Sequence, residues 1–176
     1  AVERAPGAVP YVRETRRTSL AVTNHFEGPL AIDPKNLRVR RTSTTLARRA
    51  RVDDLLSRIA PRSATPLSVL GILRDHGCAG DPACKLGDRR AIDALIATHG
   101  IVADLTAGVL WVSAGPHLSG KFVRFDLRTL LAPHHDPASD GEPEALPEDP
   151  ILHDLGRSQG TAVAGIASGT AQQGRP

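Results

Sequence analysis

Sixteen glycines and fourteen prolines cut the chain into short pieces, and this punctuation limits every element it can form. Glycine leaves φ unrestrained and proline lacks the N–H that helices and ladders need, so both end regular structure. No apolar run between them approaches the roughly 20 residues of a membrane-spanning helix, and no membrane span is expected. Apolar content is ordinary at 40% and no short period recurs, which rules out collagen, coiled coil and wholesale disorder. The 176 residues suffice for one domain, or a piece of a larger one, with a sizeable core.

Residues 1–4, 10–14 and 19–24 read as sequential antiparallel strands, divided by Pro6-Gly7-Ala8 and by the basic turn at Arg16-Arg17. Gly28-Pro29 and Asp33-Pro34 then break the pattern. Ser43, Thr44 and Thr45 offer N-cap hydroxyls for a helix reaching about Ile59, with Val52, Leu55, Leu56 and Ile59 as its apolar stripe and Pro61 as its stop. Arg48 projects onto that same stripe at about 100° per residue. Two readings stay open: an inward arginine that is paired or serves a site, or one near the helix start whose head snorkels to water. A shorter helix runs from Pro66 to Arg74 with Thr65 as N-cap. Leu95–Asp104 and Val109–Ser113 form a hairpin through Leu105-Thr106-Ala107-Gly108, and Phe122–Phe125 adds a strand. Strands, then helices, then strands make an α+β layered fold.

The charge is uneven. Residues 1–60 carry 12 Lys/Arg against 6 Asp/Glu, whereas residues 131–176 carry 2 against 7. Nucleic acid is nonetheless not expected as a partner, because the arginines are scattered over several elements and only five aromatics are present to stack bases. Arginine outnumbers lysine 19 to 3, a bias of GC-rich bacterial genomes. Cys78 and Cys84 bound a Gly/Pro loop and are either a local disulfide, which would point to export from the cytoplasm, or two free thiols in a cytoplasmic protein. Two cysteines with His76 do not complete a four-ligand zinc set, and His134-His135 cannot place both rings on one rigid face. No metal or cofactor is assigned. Neither a Gly-x-Ser-x-Gly elbow, a His-Glu-x-x-His helix nor a Gly-rich phosphate loop is present.

One cluster stands out: Thr23-Asn24-His25-Phe26 ends an apolar run just before a turn. An asparagine there either donates to a developing oxyanion or merely caps the strand end.

Val22-Thr23-Asn24-His25-Phe26, the stretch Ser43–Leu56 and Ile72-Leu73-Arg74-Asp75-His76 together resemble the autoproteolytic acyltransferase/hydrolase family of N-terminal-nucleophile hydrolases. Acyl-coenzyme A:6-aminopenicillanic acid acyltransferase typifies that group. Thr98–Asp104, Gly108–Pro116 and Leu146-Pro147-Glu148-Asp149-Pro150 continue the resemblance, in order, over roughly residues 1–150. It implies an αββα sandwich in which a cysteine exposed by autocleavage attacks an amide or thioester carbonyl, its own α-amino group acting as base. It also implies that Asn24 stabilises the oxyanion, that Arg48 is the arginine of the Ser-x-x-Arg helix start, and that His25 is a packing or orienting neighbour and not a base.

The family's nucleophile lies well upstream of Asn24. Gly77-Cys78 mimics the cleaved bond but sits downstream in a loop, and Ala1 has no nucleophilic side chain. With no methionine at all, the chain is expected to be a processed subunit or the C-terminal part of an acyltransferase/amidohydrolase, incomplete at its N-terminal side. Its expected partners are the nucleophile-bearing upstream segment or subunit and a small acyl substrate, an acyl-coenzyme A or an acyl amide. The alternative is a non-catalytic binding or assembly module of the same fold. Residues 1–132 are assigned to the domain, 133–159 to an acidic Pro-rich extension and 160–176 to a flexible tail.

Overall fold

The structure, a computed structural model, describes residues 1–15, 17–134, 142–152 and 154. His135, much of the acidic extension and the tail from Gly160 lie outside the described residues. Helices and antiparallel sheets make the protein α+β, arranged in two compact units, residues 1–97 and 98–176. No helix among the described residues is long and apolar enough to cross a membrane.

In the first unit, β1 (Val2–Glu3) pairs antiparallel with β2 (Tyr11–Val12), both shorter than the runs predicted from sequence. The third predicted strand, residues 19–24, does not form. Bonds that involve side chains hold it instead of a neighbouring ladder: the Arg13 guanidinium donates to the Ala21 carbonyl at 2.9 Å, and the Thr23 hydroxyl donates to the backbone carbonyl of Thr45 at 3.3 Å.

After a 3-10 turn at Pro29–Ile32 comes an α-helix that the punctuation concealed. Asp33-Pro34, read as a break, is the N-cap and first residue of α1 (Pro34–Thr42). Asp33 Oδ1 accepts from the backbone N–H groups of Lys35 and Asn36 at 2.8 and 3.2 Å, and proline at N1 fits because its missing N–H would have been unsatisfied there. Beyond it, α2 (Thr45–Ser57) keeps its apolar stripe half-buried; the Ser43 hydroxyl accepts from the Thr45 N–H at 3.4 Å, and the N-cap Thr44 makes no side-chain cap bond. Ser43 donates to the Val39 carbonyl, closing α1, and Thr44 donates to the Arg89 carbonyl at 2.6 Å. Thr65 does cap α3 (Pro66–Leu73), in a reciprocal box with Ser68. The Arg51 guanidinium grips Asp75 with two 2.7 Å bonds, tying α2 to the turn that ends α3. Past this turn Cys78 and Cys84 form a disulfide, with Cα atoms 5.5 Å apart.

The second unit is a four-stranded antiparallel sheet in the order β3 (Ile101–Asp104), β4 (Val109–Ser113), β5 (Phe122–Asp126) and β6 (Ala145–Leu146). The strand predicted from Leu95 begins only at Ile101, because Leu95 takes a left-handed φ of 53°, which no strand residue adopts. The expected hairpin is present. Asp104 faces Val109, the Asp104 carboxylate accepts from Thr106 and Ala107, and Gly108 supplies the φ of +71° that closes the turn. Period-two alternation puts Val102, Val109, Trp111 and Phe122 on one face, all buried, and Phe122 is wholly so. A short helix, α4 (Leu127–Leu130), caps on Asp126.

Asp33→Ala should lower stability by about 1 kcal/mol through loss of the α1 cap. A shift of the urea midpoint at constant slope measures it; an unchanged midpoint would show that α1 does not depend on Asp33.

Candidate functional site

The loop carrying Asn24 and His25 is anchored by two buried polar side chains that grip its backbone. Asn36, on α1 and 4% exposed, accepts from the Phe26 N–H at 2.8 Å and donates to the carbonyls of Phe26 and Ala31. Glu3, on β1 and 6% exposed, accepts from the N–H groups of Glu27 and Gly28 at 3.0 and 2.8 Å. Arg13 lies 3.6 Å from the Glu3 carboxylate and also bonds Glu27, so the buried negative charge has a cationic partner.

On this loop the two site residues expected from sequence meet. Arg48 Nη2 donates to Asn24 Oδ1 at 2.7 Å, across 24 residues of chain. Arg48 therefore turns toward the loop, half-buried, with Arg89 also close enough to lower its proton affinity after desolvation has done so. Since the guanidinium occupies the oxygen end of the amide, the Asn24 Nδ2–H₂ end is left to donate, and among the described residues no other hydrogen bond reaches it.

His25 is braced on both ring nitrogens. Nδ1 lies 2.9 Å from Thr45 Oγ1 and 3.0 Å from Thr23 Oγ1, and Nε2 lies 3.4 Å from Glu27 Oε1. With Thr23 donating to the Thr45 carbonyl, the network closes when Thr45 donates to Nδ1 and Nε2–H faces Glu27. A hydroxyl, an imidazole and a carboxylate are thus aligned, but Thr45 is wholly buried and no substrate can reach it. Burial lowers the His25 pKa from 6.5, and the Arg40, Arg49 and Arg13 cations add to the shift. Glu27, bonded to both Arg13 and Arg49, has its charge compensated, and the ring stays neutral at pH 7.

A cleft of about 490 Å³ opens beside this loop, between β1 and α1. Val2, Ala5, Pro6, Val22, Phe26 and Val39 make it mostly apolar, and Asn24 lies on its wall.

Sequence reasoning singled out Asn24 and Arg48, which the structure brings together, and did not single out Glu3, Asn36 and Glu27. Their role is to bind backbone and arginine from distant positions, which leaves no periodic or motif signal. The cysteine pair and Asp88 lie within 4.8 Å of one another, but the sulfurs are bonded to each other and Arg90 grips Asp88, so this cluster has no free ligand set. His134 is described alone, its neighbour lying outside the described residues. No protein-family model matches the chain, and neither a curated protein nor a solved structure matches it.

The lowered His25 pKa has a definite sign. Below pH 6.5 the unfolded chain takes a proton that the folded ring refuses, so this contribution is complete above 6.5 and is lost as pH falls toward the folded value. Urea midpoints should drop between pH 7.5 and 5.5, and His25→Gln should flatten that slope; an identical slope in the variant would remove His25 as the titrating group.

Proposed function

We propose that the chain is the C-terminal part of a cysteine N-terminal-nucleophile acyltransferase/amidohydrolase acting on amide or thioester bonds, and that Asn24 and Arg48 serve its oxyanion. The observation that carries this reading is the 2.7 Å bond from Arg48 to Asn24 Oδ1. It orients the amide with its N–H₂ end outward, and a cation bonded to the oxygen strengthens those N–H donors.

In the proposed reaction the cysteine thiol, on the segment ahead of this chain, passes its proton to its own α-amino group. Sulfur then bonds to the acyl carbon, and the carbonyl electron pair moves to oxygen, where Asn24 Nδ2–H donates to it. Collapse expels the amine or thiol, which takes the proton from the α-ammonium, and leaves an acyl-enzyme that water or an acceptor amine resolves. Neither cysteine of this chain supplies that thiol, since Cys78 and Cys84 are bonded to each other. The cleft beside Asn24 is the proposed seat of the acyl group, whether it arrives on coenzyme A or as an amide.

The αββα sandwich belongs to the same proposal. What supports it is that both faces of the four-stranded sheet carry large apolar side chains, with Asp104, Arg124 and Asp126 beside them on the face of Trp111. Opposite the buried face, Ile101, Leu110, Val112, Val123 and Phe125 share the other side, and Ile101 is 53% exposed. A sheet with large apolar side chains on both faces is suited to an inner layer. Export from the cytoplasm is proposed on the disulfide.

In the full enzyme, with the upstream cysteine segment present, Asn24→Ala should cost about two to three decades in kcat with little change in KM. Unchanged turnover would reject the oxyanion role, and an upstream reading frame without a strand opening on cysteine after a cleavable bond would reject the mechanism. Protein taken directly from cells under acid quench should show no alkylatable thiol in this chain; two alkylated cysteines would reject export.

A further inference from the structure

Charge is handled differently on the two longest helices. On α2, Arg48 bonds the neutral Asn24, and the other arginines of the helix and its C-cap are answered by acids: Arg49 by Asp53 and Glu27, Arg51 by Asp75, and Arg58 by Asp54. On α1 they are not. Lys35, Arg38, Arg40 and Arg41 form no ion pair among the described residues, and α1 itself contains no acidic residue.

Helical geometry separates two faces of α1. Asn36 and Arg40, one turn apart, face inward, the first buried and the second half-buried near His25. Pro34, Leu37, Arg38 and Arg41 share the outer face, with Lys35 at its flank, and all five are exposed. That face is not simply polar. Ile32, just before the helix, is 81% exposed, and Leu37 and Leu46 are each 42% exposed. Leu37 and Leu46 border a shallow hollow with Pro34, Arg40 and Arg41. A cluster of unanswered cations interleaved with exposed aliphatic side chains meets two needs of an anionic lipid surface at once: charge for the headgroups and apolar contact for the acyl boundary.

We propose that the outer face of α1, with Ile32 and Leu46, is a docking surface for an anionic lipid bilayer. Nucleic acid would also answer the charge, but it has no use for exposed isoleucine and leucine, and the patch contains no aromatic side chain on which a base could stack. The proposal does not depend on the acyl-transfer reading.

The test uses the 176-residue chain and sedimentation with large vesicles. Binding is expected to vesicles of phosphatidylcholine with one third phosphatidylglycerol, not to phosphatidylcholine alone, and should fall as salt rises from about 50 to 500 mM, where the Debye length shrinks to a few ångströms. Each cation near such a surface is worth about five-fold in partitioning, so Arg38→Ala with Arg41→Ala should weaken it about 25-fold, with the far-ultraviolet circular dichroism unchanged. Leu37→Trp should show a blue-shifted emission on the anionic vesicles, above the constant contribution of Trp111. Equal binding to neutral vesicles, no binding at low salt, full binding by the double arginine variant, an unshifted emission from the Leu37→Trp variant, or displacement of the vesicles by an equimolar-charge oligonucleotide would each overturn the proposal.

Discussion

The buried carboxylate of Glu3 is the constraint on which the first unit depends. A carboxylate taken out of water is tolerated only when hydrogen bonds and a counter-charge replace its hydration. Here two backbone N–H groups and the Arg13 guanidinium do so. The requirement works in both directions: satisfying Glu3 forces residues 27 and 28 against β1, and that position sets the loop on which Asn24, His25 and Glu27 stand. Asn36 repeats the device from the other side, so the loop is held between β1 and α1 by side chains that read backbone and not by a ladder. This is why residues 19–24 need no strand partner to be placed.

From that anchor the polar network spreads outward. Glu27 receives Arg13 and Arg49, His25 rests on Thr45 and faces Glu27, and Arg48 closes on Asn24. Each helix contributes a different element: α1 gives the backbone clamp, the first turn of α2 gives Thr45, Arg48 and Arg49, and the Arg51–Asp75 pair holds α2 itself in place. The site is a meeting of local preferences, with the helical spacing of 45, 48 and 49 directing three side chains toward one loop.

How much of this was legible beforehand depends on the kind of signal each residue leaves. Arg48 could be read because a cation aligned with Val52, Leu55 and Ile59 conflicts with a simple apolar stripe, and the conflict is resolved by Asn24. The β3–β4 hairpin could be read because alternation and a closing glycine are local. α1 was hidden because Asp33-Pro34 has two physical meanings: it ends the segment before it and also starts the helix after it. Only three apolar residues, Pro34, Leu37 and Val39, announce that helix. Glu3 and Asn36 were out of reach altogether. A glutamate beside valine and an asparagine after lysine look like surface residues until the chain segments they bind, 24 and 10 positions away, come into contact.

The interior of residues 1–97 has a thermodynamic corollary. Among its described residues the buried positions are Ala21, Leu70, Cys78, Ala91 and Ala94 together with Glu3, Asn36, Thr45 and Asp93, so small and polar groups supply most of what is hidden from water. Exposing apolar surface raises the heat capacity of unfolding and exposing polar surface lowers it. This unit should therefore unfold with a small heat-capacity increment for its size, giving a broad, flat stability curve that changes little with temperature and answers instead to whatever alters the dielectric environment of its carboxylates and guanidinium groups.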